Sequence, residues 1–258
     1  MIKAIFLDID GTMVSFVTHC IPANTQEALR EARRRGVKVF VATGRHSGDV
    51  ENLGDVEFDG FITLNGGICR VGDEIVFKKC IPHEDIEAFV NYCEEIKPVP
   101  TFFVEEGRVT ANMEDAEMSR MLSLVRFPPR LVVPARQLIN EDIYQLTAFF
   151  PDKDEDEIMR LLPGCSATRW YPTFTDIVAR GIDKSVGLAK ICDYFGIRRD
   201  ETMAFGDGGN DITMLRYAGL GIAMGNADDE VKQAADYVTT SVDDDGIGQA
   251  LRRFGVIN

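Results

Sequence analysis

Apolar residues fall into two rhythms along this chain. Ala4-Ile5-Phe6-Leu7 is an unbroken apolar run of strand length and predicts a buried strand. A helix is expected to begin near Asn24, with Glu27 three residues on forming a capping box, and to end at Gly36. Residues 37–42 and 61–64 read as the next two strands. The last third repeats the rhythm. A helix from about Lys184 to Phe195 stops at Gly196, and the strand 202–205 runs into a glycine-rich loop and a further helix. Strands at 220–224 and 237–238 and a closing helix at 247–254 follow. Strands alternating with helices at this spacing predict an α/β chain with a doubly wound, parallel, Rossmann-like sheet.

The middle of the chain breaks this rhythm. Residues 101–105 and 108–111 flank Glu106-Gly107 like a hairpin, and further strand-like stretches lie at 144–150 and 169–177. Prolines at 98, 100, 128, 129 and 134 punctuate the segment. The expected organisation is a core domain over 1–81 and 180–258, interrupted by an inserted α+β domain over 82–179.

Composition narrows the classes without choosing among them. At 258 residues, 45% hydrophobic and 27% charged, the chain can bury a sizeable core. No apolar run approaches the roughly 20 residues of a membrane span, and MIKAIFLDID turns acidic too early for a signal peptide. Cys20, Cys69, Cys80, Cys93, Cys165 and Cys192 include no C-x-x-C pair, which reads as reduced thiols in a cytoplasmic protein, with neither a disulfide frame nor a zinc site. A formal charge of -14 argues against a nucleic-acid groove. It leaves room for an anionic small molecule, because a metal ion and a few basic groups can reverse the local field.

Chemistry concentrates in four places. In Asp8-Ile9-Asp10-Gly11-Thr12 the two acids follow a buried strand, where ligands of open α/β sheets bind, and residues two apart face one side. Two carboxylates so close push their pKa values apart, so one can stay ionised as nucleophile while the other holds a proton. A calcium loop is excluded, since Thr12 and His19 stand where acids are needed. Thr43-Gly44-Arg45 closes the second strand, where a hydroxyl and freed N–H groups suit a phosphate. Lys184 opens a helix against its dipole, which an anion there would explain. A plain helix cap and a solvated lysine would account for these two taken singly. The loop Gly206-Asp207-Gly208-Gly209-Asn210-Asp211 is too acidic to cradle phosphate by itself, and its hard oxygens suggest magnesium. Cys192 and Arg198 have the C-x5-R spacing of cysteine phosphatases, but Cys192 sits late in an amphipathic helix and no Ser or Thr follows Arg198. His19, His46 and His83 are too scattered in sequence for a triad or a metal cluster.

Taken in order, D8-I-D10-G-T12, T43-G-R45, K184 and G206-D-G-G-N-D211 resemble the four-motif signature of the haloacid dehalogenase superfamily. The insert over 82–179 and the turn Asn65-Gly66-Gly67 resemble its class IIB, Cof-type branch, and within it the sugar-phosphate phosphatases. The resemblance implies an inserted α+β cap over the core and an Mg2+-dependent phosphomonoester hydrolase of small phosphorylated metabolites, hexose or other sugar phosphates foremost. It implies Asp8 as the nucleophile that becomes an aspartyl phosphate, and Asp10 as acid and then base. Asp8, the carbonyl of Asp10 and Asp207 would hold Mg2+, with Asp211 supporting them. Thr43, Gly44, Lys184 and Asn210 would bind phosphoryl oxygens. Arg45, Asn65 and the stretch Arg169-Trp170-Tyr171 are the candidates for substrate contact. Met13, Ser185 and Gly67 depart from the usual Leu, Gly and Ala without removing a functional group.

Two other readings remain open at this stage. A phosphomutase of the phosphomannomutase type shares the first motif and a similar cap, and a non-enzymatic phospho-acceptor switch also gathers acids, Thr and Lys at strand ends.

Overall fold

The computed structural model describes residues 1–50, 53–124 and 128–258. The chain begins with β1 (Ala4–Leu7), α1 (Ala23–Arg34), β2 (Lys38–Ala42), β3 (Gly60–Thr63), β4 (Ile68–Val71) and β5 (Glu74–Lys78). There follow α2 (His83–Glu95), β6 (Thr101–Val104), β7 (Val109–Ala111), α3 (Ala116–Leu124), β8 (Leu131–Val132), β9 (Gln145–Ala148), α4 (Glu155–Leu161), β10 (Cys165–Tyr171) and β11 (Phe174–Ala179). The chain closes with α5 (Lys184–Phe195), β12 (Thr202–Gly206), α6 (Ile212–Tyr217), β13 (Leu220–Ala223), α7 (Asp229–Ala234), β14 (Tyr237–Val238) and α8 (Gly246–Arg253). Among the described residues no helix is long and apolar enough to cross a membrane.

Packing divides these elements into two units: Met1–Gly44, Val50–Lys78 and Asp183–Asn258 form the first, and Arg45–Asp49 with Lys79–Ile182 the second. The first unit is built on one sheet in the order β14-β13-β12-β1-β2-β3-β4-β5. From β14 to β3 every pairing is parallel, with β1 between β12 and β2. Side chains alternate across β1, and both faces are dry. Ile5 and Leu7 join a core with Leu29 of α1 and Leu251 of α8, while Ala4 and Phe6 join one with Leu188 of α5 and Leu215 of α6. That two-sided burial is why the strand reads as a continuous apolar run rather than an alternating one.

The parallel sheet core is as expected, and β4 and β5 extend it as antiparallel strands. Two local expectations are corrected. The capping box at Asn24 does not form. The helix starts one residue earlier behind Pro22, whose carbonyl accepts from the Gln26 amide, and Glu27 pairs instead with Arg34. The stretch 169–177 is not one strand but the paired ends of β10 and β11, turning at Pro172-Thr173 with Tyr171 opposite Phe174.

The second unit has a sheet in the order β10-β11-β9-β6-β7-β8, antiparallel except at β7–β8. Phe103 and Leu146 face a core shared with Phe89 of α2 and Ile158 of α4. Phe102 belongs to a separate cluster with Met118 of α3, Phe149 and Phe174.

Candidate active site

The functional side chains of the first unit sit where its parallel strands end. Asp8 follows β1, with its amide donating to the Phe205 carbonyl of β12, and Thr43 follows β2, with its amide donating to Ile62 of β3. Asp207 follows β12. Carboxyl ends on either side of a central strand form the crevice in which doubly wound sheets bind ligands.

Lys184 is the centre of the arrangement. The first residue of α5, it is fully buried, and its Nζ lies 2.6 Å from Asp8 Oδ1 and 2.5 Å from Asp211 Oδ1. Burial by itself would lower the lysine, but the charges of Asp211 and Asp8 outweigh it and hold the ammonium above its ordinary value. These two acids are the anions that its place in a first helical turn calls for. The helix end is fixed by Asp183, whose carboxylate accepts from the amides of Ser185 and Val186 and from the Ser185 hydroxyl. Ser185 thereby has a part in the cap that glycine could not play. Gly66 lets the preceding loop pass beneath, since a Cβ there would lie 2.2 Å from the Asp183 carbonyl oxygen.

The loop after β12 folds around Asp211, which is fully buried. Its Oδ2 accepts from the amides of Asp207 and Gly208, both at 3.0 Å. With Lys184 on the other oxygen, both of its oxygens are in use. The Asp207 carboxylate accepts from the Thr12 hydroxyl at 2.7 Å and from Asn226 Nδ2 at 3.3 Å. Carboxylate oxygens of Asp8, Asp207 and Asp211 lie within 4.8 Å of one another. Burial, reinforced by Asp211, raises the Asp207 carboxyl to about 7 despite the Thr12 hydrogen bond and Lys184. Burial also raises Asp8 well above its ordinary value; Lys184 opposes the rise, and Asp211, Asp207 and Asp10 add to it. Asp10 is half-buried, and its charge adds to the rise of both acids.

Around this centre runs a polar chain. Asn210 Nδ2 donates to Asn65 Oδ1 at 2.9 Å, and the Asn65 amide donates to the Thr43 carbonyl at 3.0 Å. Leu64 and Asn65 both hold a positive φ, of 52° and 53°, a strain that marks binding loops more often than scaffold. Gly44 lies under the Asn65 amide group, which a Cβ at Gly44 would approach to 3.1 Å. The first unit therefore brings Asp8, Asp10, Thr43, Gly44, Asn65, Lys184, Asp207, Asn210 and Asp211 to one set of strand ends.

Other candidates lie elsewhere. Arg45 groups with the second unit, where its guanidinium donates to the Asp49 carbonyl. Arg169 is engaged within that unit by Glu155 at 2.9 Å and by the Phe150 ring, and Tyr171 stacks on Phe174. The side chain of Trp170 lies outside the described residues.

Two contributors escaped the sequence reading. Thr12 was visible only as part of its motif, yet its hydroxyl aims Asp207. Asn226 ties the Gly11 carbonyl at 2.9 Å to the far end of the sheet, accepting in turn from the Val242 amide at 3.0 Å. The signal for it was positional, because Met224-Gly225-Asn226 ends a strand as Asp8 and Asp207 do.

Comparison with known proteins places the chain in a family. The model of the haloacid dehalogenase-like hydrolases matches residues 5–251, from the first strand to the last helix. The chain belongs to the haloacid dehalogenase-like hydrolase family. The candidate phosphatase YkrA of Bacillus subtilis is 33% identical over 99% of this chain and 98% of its own. A solved subclass IIB sugar phosphatase of the superfamily is 43% identical, covers 99% of this chain and 100% of its own, and superposes with a TM-score of 0.94. A phosphatase of the superfamily from Bacteroides thetaiotaomicron is 37% identical, with 100% and 96% covered and a TM-score of 0.92. Each of these three relatives is named a phosphatase, and this chain is a hydrolase of the same family.

One expected result tests how tightly the site is built. Gly11 has φ +81°, and a Cβ there would fall 2.2 Å from Asp207 Oδ2 and 2.8 Å from the Phe16 ring. Gly11→Ala is expected to cost about 1–3 kcal/mol in urea unfolding and to displace Asp207. An unfolding midpoint equal to the parent's would show that this contact does not constrain the loop.

Proposed function

We propose that this chain is an Mg2+-dependent phosphomonoester hydrolase of small phosphorylated metabolites, sugar phosphates foremost, working through an aspartyl phosphate on Asp8. The observation that carries the reading is the buried Asp8–Lys184–Asp211 array beside Asp207. One lysine faces four acids, counting Asp10, and the donors are hard oxygens. That charge deficit and donor set fit a magnesium ion. Asp8, the carbonyl of Asp10 and Asp207 would hold it, while Asp211, with both oxygens taken, orients the loop. When bound, the ion offsets carboxylate and phosphate charge, allowing an ionised Asp8 to meet an anionic substrate.

The chain's own groups then divide the work. Asp8 attacks phosphorus as the ester P–O bond breaks, and Asp10 gives a proton to the departing alcohol oxygen. Asp10 next takes a proton from the water that attacks the aspartyl phosphate, which frees inorganic phosphate and restores Asp8. Two N–H bonds of Lys184 go to Asp8 and Asp211, and its third suits a phosphoryl oxygen. Thr43, Gly44 and Asn210 would take other phosphoryl oxygens, and Asn65 and Arg45 the substrate beyond them. Residues 82–179 would act as a cap that governs entry. Sugar phosphates lead because a 43% identical structure is named a sugar phosphatase.

The test is release of inorganic phosphate from sugar, nucleotide and cofactor phosphates, with Mg2+ or with EDTA. Mg2+-dependent release, highest with sugar phosphates, is the expected result. Interconversion of sugar-phosphate isomers under a bisphosphate activator would make the chain a mutase instead. A lasting phosphoenzyme with no turnover would make it a switch.

A further inference from the structure

We propose that the second unit carries a zinc site formed by Cys80, His83 and Asp142. Their ligand atoms lie within 4.8 Å of one another, and all three residues belong to the second unit. The sequence hides the site: Cys80 and His83 stand three apart across Ile81-Pro82, and the third member comes from some sixty positions on in the chain. The fold then closes the gap.

The scaffold holds the three in place. The Ile81 amide donates to the Ile143 carbonyl at 2.7 Å, and both flanking isoleucines are fully buried. Cys80 and Asp142 are the neighbours of that buried pair, so their backbone spacing is set by the core. Pro82 fixes the turn from Cys80 into α2 at φ -54°, which places His83 first in the helix. His83 Nε2 stands 3.5 Å from Asp142 Oδ1. That is long for an N–H···O bond. It is the span of two ligands on one tetrahedral ion, about 3.4 Å for Zn–N and Zn–O bonds of about 2.0–2.2 Å.

The donor set selects the ion. A thiolate with an imidazole and one carboxylate suits Zn2+, whereas Mg2+ takes oxygen donors almost alone. The side chains of His83 and Asp142 are 47% and 60% exposed, so water reaches the fourth position. Zinc would staple the segment that enters the second unit to the loop before β9.

The test is Zn2+ and Co2+ binding to the whole chain in Mg2+ buffer, with parent, Cys80→Ser and His83→Ala compared. Expected for the parent are one equivalent of Zn2+ beyond that of Cys80→Ser, a thiolate-to-cobalt charge-transfer band and a zinc-dependent rise in melting temperature. Either substitution is expected to weaken zinc binding by about tenfold or more. The exposed thiol of Cys20 is present in all three proteins and cancels. His83→Ala changes an exposed side chain, so it keeps the test decisive if Cys80→Ser folds poorly. Zinc affinity unchanged in His83→Ala, or a cobalt spectrum without the thiolate band, would overturn the site.

Discussion

Asp8→Asn is expected to lower turnover by a factor on the order of 10³ or more, yet to leave the metal-free protein at least as stable as its parent. The amide keeps the shape of the carboxyl group, and its oxygen can still accept from Lys184, now 2.6 Å away. What it removes is a charge that the fold tolerates poorly. Burial and the neighbouring acids hold Asp8 well above its ordinary value, with Lys184 only partly opposing them. An acid raised on folding adds stability below its unfolded value and loses it as the pH climbs through its folded value. The gain from Asp8→Asn is therefore expected to be absent near about pH 4 and to grow toward about pH 8. Urea midpoints in EDTA at the two pH values, beside phosphate release in Mg2+, measure both halves. A variant that is inactive and also less stable at the higher pH would contradict this account of the site's electrostatics.

Lys184→Met is expected to behave in the opposite way. The ammonium is fully buried and neutralises Asp8 and Asp211 at 2.6 and 2.5 Å. A methionine of similar length fills the space and leaves two buried acids facing each other, at a cost of about 3–5 kcal/mol near neutral pH. Asp8 then loses the charge that opposed its rise, so its folded value climbs further from the unfolded one. The sign is again that of a raised acid: the cost is smallest in acid and largest in base. Catalysis should fail too, because the same group is proposed to bind the phosphoryl oxygens. The pair Lys184→Met/Asp8→Asn is expected to recover part of the stability lost by the lysine change alone, since one of the two stranded charges is gone. A single Lys184→Met variant as stable as the parent at about pH 8 would show that the array is not held by charge.

These two outcomes separate roles that a single activity assay would merge. Loss of activity with stability intact marks a group whose charge exists for chemistry. Loss of both marks the group that holds the others in place.

The motifs legible in the sequence are those in which neighbours along the chain become neighbours in space. Asp8 and Asp10 are two apart at a strand end, and Asp207 and Asp211 share one loop, so their proximity follows from local geometry. Gly196 at the end of α5 was equally plain, and it takes the left-handed φ of 64° that glycine permits. Where local signals competed, the reading slipped. Pro22 displaced the cap expected at Asn24, and the single strand at 169–177 proved to be a turned hairpin.

From its sequence alone this chain determined an alternating α/β core, an interrupting α+β segment and four motifs that name its hydrolase family. Those features are written in apolar period and in short runs of residues, which a linear reading can count. Only the tertiary structure decided that Lys184 meets Asp8 across 176 positions, that Thr12 and Asn226 aim Asp207, and that Cys80 and His83 gather with Asp142. Such pairings depend on strand order and on which helix end closes over which strand. These are set by how the two faces of the sheet are covered, and no local pattern encodes them.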